Sequence, residues 1–108
     1  MMALSLTTIV LLASLSWPLA AVAIEGDPVR GELVFATCAS CHEAKSTKEK
    51  VGPGLKGLFA RPKLLSNGKK PTEPIIRGII DKGGQNMPSF SALPERQKSD
   101  LLAYLKTL

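Results

Sequence analysis

The sequence predicts a small all-α domain with three to four helices. Three segments carry apolar side chains at helical spacing, two of them begin with a helix-capping signal, and stretches rich in glycine and proline separate them. The chain has 108 residues, of which 44% are hydrophobic and 21% charged. This composition indicates one globular domain. It excludes a multidomain enzyme, a disordered chain and a scaffold held by many disulfides.

Residues 1–23 are predicted to form a cleaved signal peptide. No charged side chain occurs before Glu25, an apolar run ends at Trp17-Pro18, and Ala21-Val22-Ala23 supplies the small residues that signal peptidase accepts. The domain is then expected over residues 24–108. The alternative is that the segment is retained as a membrane anchor. Export follows from either interpretation.

The first helix is predicted to begin at Asp27 and Pro28, an N-cap followed by proline at the first helical position, and to run towards Cys38. Gly31 falls inside this helix, where glycine lowers helix propensity. We therefore expect a close crossing with another backbone at Gly31.

A Gly-Pro-Gly turn at 52–54 and an Asn-Gly turn at 67–68 separate the first helix from the second. Between these turns lie short apolar pieces, Leu58, Phe59, Leu64 and Leu65. The second helix is expected to begin near Thr72 and to end at Gly83 or Gly84. Four isoleucines fall on one of its faces: Ile75, Ile76, Ile79 and Ile80.

The last helix is predicted from Pro94 to Leu108 and is amphipathic. Its apolar side is formed by Leu101, Leu102, Tyr104, Leu105 and Leu108. The charged residues are expected on its other sides: Glu95, Arg96, Lys98 and Lys106.

The cysteines of the chain form one motif, Cys38-Ala39-Ser40-Cys41-His42. This is the C-x-x-C-H pattern of covalent c-type haem attachment. Two thiols three residues apart on a helical turn can add to the two vinyl groups of a porphyrin, and the imidazole that follows can bind the iron. We therefore predict one haem c, held through Cys38 and Cys41 and ligated by His42.

Three other uses of the motif compete with haem attachment. A thioredoxin-like dithiol, which would make the protein a thiol-disulfide oxidoreductase, is expected after a strand in a βαβ unit. A zinc site as a rule needs four ligands, whereas this motif supplies two cysteines and a histidine. A disulfide between positions i and i+3 would close too short a loop to stabilise the fold much.

Few residues of the chain could supply the second axial ligand of the iron. His42 is the sole histidine, and Met87 is the sole methionine after the predicted leader. Met87 lies between Gly83-Gly84 and Pro88, in a loop that can carry a side chain across a flat cofactor. A lysine or an open site remains an alternative to Met87. His/Met ligation would favour electron transfer and leave no free iron position for catalysis.

The chain resembles class I monohaem cytochromes c of the small bacterial type. The resemblance covers nearly all of residues 24–108. It rests on Gly31 to Phe35, the C-x-x-C-H motif, Gly52-Pro53-Gly54-Leu55, the Met87 loop and residues 100–105.

The resemblance implies the small cytochrome c fold, with the first helix crossing the last so that Gly31 and Phe35 meet Tyr104. It implies that the carbonyl of Pro53 accepts the second ring N–H of His42. It also implies that Arg61 lies near a haem propionate.

The function expected from the motif and the resemblance is one-electron transfer in the periplasm, between a membrane complex or dehydrogenase and a terminal oxidase or reductase. A haem subunit of a larger complex, or a ligand sensor with a labile sixth site, is the alternative. The formal net charge is +5, and basic residues concentrate between Lys45 and Lys82. We expect redox protein partners with acidic docking patches, a monomer, no nucleic acid, and membrane contact only through partners or an uncleaved leader.

Overall fold

The computed structural model describes residues 3, 13–18 and 25–108. Within these ranges it contains α1 (Pro28–Phe35), a 3₁₀ turn (Leu58–Ala60), α2 (Glu73–Lys82) and α3 (Glu95–Leu105), and no strand. The all-α prediction is confirmed. The predicted cleavage site at Ala23 lies outside the described residues. No helix among the described residues is long and apolar enough to cross a membrane.

The ends of α1 and α2 follow the capping signals of the sequence. Asp27 caps α1 through its side chain, which accepts a hydrogen bond from the amide of Val29 at 2.8 Å. Thr72 caps α2 in the same way, and Gly83 ends it with a φ of 63°. α1 stops at Phe35, three residues before the first cysteine, and irregular turns continue the chain to the motif.

The crossing of α1 with α3 depends on the predicted glycine. A Cβ placed on Gly31 would lie 1.9 Å from the carbonyl oxygen of Asp100 and 2.7 Å from Cβ of Tyr104. Close to this crossing the rings of Phe35 and Tyr104 pack with centroids 5.4 Å apart. Gly31 and Phe35 thus meet Tyr104 as the resemblance implied.

An ion pair ties the start of α1 to α3. The Asp100 carboxylate is buried and accepts from the amide of Asp27 at 2.8 Å and from Nε of Arg30 at 3.0 Å. The Arg30 guanidinium holds the pKa of Asp100 below its ordinary value. This pair fixes the first turn of α1 on α3.

The hydrophobic core joins all three helices to the 3₁₀ turn. Its buried members are Phe35, Leu58, Leu64, Ile76, Ile80, Leu101, Leu102, Tyr104 and Leu105. Leu65, in contrast, is 95% exposed and takes no part in covering the core.

Two details of α3 differ from the sequence prediction. The helix begins at Glu95 after Pro94, which makes no side-chain cap, and it ends at Leu105 rather than Leu108. The placement of Lys98 on the polar side is wrong, because this residue is only 4% exposed. Its ammonium is buried among oxygen atoms of α2 and of the segment that joins α2 to α3.

Candidate haem-binding site

One turn after α1 presents the whole C-x-x-C-H motif. The amide of Cys38 donates to the carbonyl of Phe35 at 2.7 Å, and the amides of Cys41 and His42 donate to the carbonyl of Cys38 at 3.1 and 3.0 Å. The two thiols are therefore held about one helical turn apart, with the imidazole directly after them. The motif follows a helix, whereas a thioredoxin-like dithiol is expected after a strand.

The two cysteines occupy partly covered positions. Both are free thiols of intermediate exposure, and Cys38 packs against the hydrophobic core. Burial raises the pKa of the Cys38 thiol, an effect that the nearby hydroxyl of Thr37 partly offsets. Cys38 thus lies beside an apolar surface.

His42 is oriented by the turn at residues 52–54. Its Nδ1 lies 2.8 Å from the carbonyl oxygen of Pro53. A carbonyl can only accept, so Nδ1 carries the proton and Nε2 keeps its lone pair. This is the arrangement in which a neutral histidine binds a metal through Nε2.

Gly52 supports the His42 ring from the side. A Cβ at this position would lie 2.4 Å from Cε1 and 2.8 Å from Nδ1 of His42. The amide of Gly52 also donates to the carbonyl of Cys41 at 2.8 Å. The sequence predicts only a turn at Gly52, and the fold shows that its missing side chain makes room for the imidazole.

Arg61 binds the same loop through its side chain. Its Nη2 donates to the carbonyls of Gly54 at 2.6 Å and Lys56 at 3.1 Å. Arg61 therefore stabilises the backbone that follows Pro53, a role that the sequence did not indicate.

Lys50 is a further residue that sequence reasoning missed. Its Nζ donates to the carbonyl of Ala39, inside the motif, at 3.1 Å and forms an ion pair with Glu43 at 3.5 Å. The lysine links the loop to the C-x-x-C-H turn. Its position in the basic stretch gave no signal of this contact.

Met87 lies in the segment between α2 and α3. Its backbone pairs with Gly84 through two hydrogen bonds, of 2.9 and 2.8 Å, which close a tight turn. The side chain is half-buried against the hydrophobic core, and so is Cys38. Residues from the motif and from the Met87 loop therefore border the same core, although they are far apart in sequence.

The residues present fit a covalently attached haem. The two thiols lie one turn apart. The imidazole has Nδ1 satisfied and Nε2 available, and the thioether belongs to a loop closed by two backbone hydrogen bonds. Several apolar side chains are only partly covered where they lie against the core: Leu55, Phe59, Ile75, Ile79, Phe90 and Leu93. An apolar macrocycle is the kind of group that completes so small a core.

Comparison with known proteins agrees with this fit. The chain matches the profile of the cytochrome c family over residues 28–108. It is 35% identical over 97 residues to cytochrome c2 of Blastochloris viridis, with 74% of this chain and 76% of the relative covered. It is 33% identical over 100 residues to cytochrome c2 of Rhodopila globiformis, covering 77% and 94%. Cytochrome c of Ginkgo biloba is 28% identical over 99 residues, with 75% and 88% covered.

Fold, motif and relatives together define a haem protein that transfers electrons. The chain belongs to the cytochrome c family. It carries haem c covalently and acts as a haem-based electron carrier with protein partners.

Proposed function

We propose that the protein is a periplasmic carrier whose haem is attached through Cys38 and Cys41 and ligated by His42 and Met87. The observation that carries the proposal is the hydrogen bond of His42 Nδ1 to the carbonyl of Pro53, which leaves Nε2 as a ligand atom. A haem held by His42 and Met87 would supply one-electron exchange and would leave no position open for a substrate.

The protein contributes fixed geometry to electron transfer. Gly52, Pro53 and Arg61 hold His42 and its loop, and the Gly84–Met87 turn holds the thioether. Ligands that do not move between oxidation states keep the reorganisation needed for electron transfer small. Arg61 is also proposed to lie near a haem propionate, since only Nη2 of its guanidinium is engaged by the loop carbonyls.

Carbon monoxide tests the carrier against the ligand-sensor alternative. The reduced holoprotein at neutral pH is expected not to bind the gas, because Met87 fills the sixth position. A Met87→Ala variant is the matched control and is expected to bind it readily. Binding by the wild-type protein without denaturant would favour the ligand sensor.

The proposed site of action is the periplasm, reached after removal of residues 1–23. The absence of charge before Glu25 and the Ala21-Val22-Ala23 sequence support this part of the proposal. We expect the protein to carry electrons from a membrane complex or dehydrogenase to a terminal oxidase or reductase, and to catalyse no reaction itself. Mass measurement of the protein in a periplasmic extract tests it, with a mature chain beginning at Ile24 as the expected result.

We propose that the protein is a monomer and that its partners are redox proteins with acidic docking patches. Seven exposed lysines support this proposal: Lys45, Lys48, Lys50, Lys56, Lys63, Lys69 and Lys70. Glu49 is the acidic residue in the same stretch. A field of this sign speeds encounters with anionic partners and weakens as salt is added.

Small redox probes test the field directly. Oxidation by anionic ferricyanide is expected to slow with ionic strength, and oxidation by a cationic cobalt complex to quicken. Reversal of Lys70 to glutamate is expected to weaken both trends, whereas Lys106→Glu, at the C-cap of α3, changes the net charge by the same amount and serves as the control. Equal effects of the two sites would contradict a localised docking surface.

A further inference from the structure

The loop that carries Met87 is anchored at both ends. On its entry side, α2 ends at Lys82 and Gly83 turns the chain with a positive φ. On its exit side, the amide of Phe90 donates to the carbonyl of Ile80 at 2.8 Å. The hydroxyl of Ser89 donates to the carbonyl of Asp81. The loop thus returns to the end of the helix that it leaves.

Lys98 lies at the place where the loop closes. Its Nζ forms an ion pair with Asp81 Oδ1 at 2.7 Å, donates to the carbonyl of Ser91 at 3.1 Å, and contacts Glu95 Oε1 at 3.4 Å. Asp81 precedes Met87 and Ser91 follows it. One ammonium group on α3 therefore binds both the last turn of α2, from which the loop leaves, and the backbone of the loop after Met87.

The surroundings of Lys98 make this link strong. The side chain is only 5% exposed, so water cannot easily replace its protein partners. Asp81 raises the pKa of Lys98, with Glu95 adding to the effect, and the ammonium stays charged at neutral pH. Asp81 also lies in the last turn of α2, where the helix dipole disfavours a carboxylate and a nearby cation offsets that cost.

We propose that Lys98 is a positioning residue that holds the Met87 loop closed and thereby limits how often Met87 leaves the haem iron. The inference rests on the ligation by Met87 proposed above. Movement of Met87 away from the haem requires the loop to separate from α2 and α3. Separation breaks the contact of Lys98 with the carbonyl of Ser91 and the hydrogen bond of Ser89 to Asp81, and it leaves a buried ammonium short of a partner.

Imidazole serves as the probe of loop opening. The oxidised holoprotein is mixed with increasing imidazole, and loss of the weak far-red sulfur-to-iron band is followed by stopped flow. At high imidazole the replacement rate reaches a plateau, which equals the rate at which Met87 dissociates. Lys98→Met keeps the length and apolar stem of the side chain and removes the charge.

We expect the plateau rate to rise about tenfold or more in Lys98→Met, because a buried charge pair is lost. Asp81→Asn removes the same ion pair from a partly exposed position and is expected to give a smaller rise. If Lys98→Met does not fold, the rate measured for Asp81→Asn tests whether the ion pair limits loop opening. Lys106→Met is the matched control, since its pair with Glu73 also joins α3 to α2 but is about half exposed and far from the loop in sequence. Its rate is expected to stay within about twofold of wild type.

A purely structural role of Lys98 predicts a different pattern. Gly31→Ala lowers global stability at the α1–α3 crossing without touching the loop. The two variants are compared by the increase in opening rate for the same loss of unfolding free energy. If this increase is as large in Gly31→Ala as in Lys98→Met, Lys98 has no special role and the inference is overturned. Unchanged rates in both Lys98→Met and Asp81→Asn overturn it too, and leave ligation by Met87 intact. Absence of the far-red band from the wild-type protein would instead remove Met87 as the ligand, and the inference with it.

Discussion

Nδ1 of His42 lies 2.8 Å from the carbonyl oxygen of Pro53. This contact fixes the tautomer of the ring, because the carbonyl needs a proton from Nδ1, and it leaves Nε2 free to bind a metal. The partner of His42 comes from a loop that also passes Gly52 alongside the ring and is bound by Arg61. Backbone geometry at Pro53 therefore decides which ring nitrogen of His42 is available to a metal.

Gly52→Ala is expected to disturb His42, the proposed haem ligand, directly. The added Cβ would meet Cε1 of His42 at 2.4 Å, so the ring or the loop must shift. We expect a loss of about 1–3 kcal/mol in the unfolding free energy of the holoprotein, together with a changed ferric spectrum. Urea unfolding and absorption spectroscopy measure both, and a variant identical to wild type would show that the close packing on His42 is unimportant.

Gly31→Ala is expected to destabilise the crossing of α1 with α3. Its Cβ would lie 1.9 Å from the Asp100 carbonyl, and two helix backbones must move apart to admit it. The expected loss is about 3 kcal/mol in unfolding free energy. Gly78→Ala is the matched control, because Gly78 lies inside α2 with nothing within 4 Å of the added Cβ. The control is expected to gain about 0.5–1 kcal/mol.

The Arg30–Asp100 pair predicts part of the acid sensitivity of the protein. Arg30 lowers the folded-state pKa of Asp100 below its ordinary value of 3.8. The pair therefore stabilises the fold above that pH, and its contribution is lost as pH falls through the lower, folded-state pKa. Asp100→Asn is expected to be less stable than wild type at neutral pH, with the two curves converging in acid.

Urea midpoints between about pH 2 and pH 7 check this prediction. Glu73→Gln is the control, since its pair with Lys106 is exposed and contributes little. A constant difference between Asp100→Asn and wild type across the whole range would mean that the carboxylate charge is not responsible.

Arg61→Ala is expected to loosen the loop that carries Pro53. The variant loses the hydrogen bonds to the carbonyls of Gly54 and Lys56, and we expect thermal unfolding to show a loss of about 1–2 kcal/mol. Lys63→Ala, an exposed neighbour of the same charge, is expected to match wild type. Equal stability of all three proteins would leave the propionate as the remaining role for Arg61.

Local signals in the sequence predicted the helices and the crossing. Asp27 and Thr72 cap as expected, Gly83 ends α2, and Gly31 meets another backbone. Each of these features depends on residues close in sequence or on the lack of one side chain. These features can be predicted from the sequence because helix capping and glycine placement follow from local backbone chemistry.

The burial of Lys98 and the role of Gly52 were not predictable in the same way. Lys98 is buried because Asp81 and Ser91, from α2 and the loop beyond it, supply oxygen atoms to its ammonium. Gly52 matters because the fold brings it against His42. Helical periodicity places a lysine on the polar side by default, and it cannot reveal partners that only tertiary packing provides.

Far-red absorption of the oxidised holoprotein tests the central claim most directly. The account predicts haem that stays bound on denaturation and a weak sulfur-to-iron band that is present in wild type and absent in Met87→Ala. Retained haem without the band in wild type would contradict ligation by Met87. Haem that is released on denaturation would contradict attachment through Cys38 and Cys41.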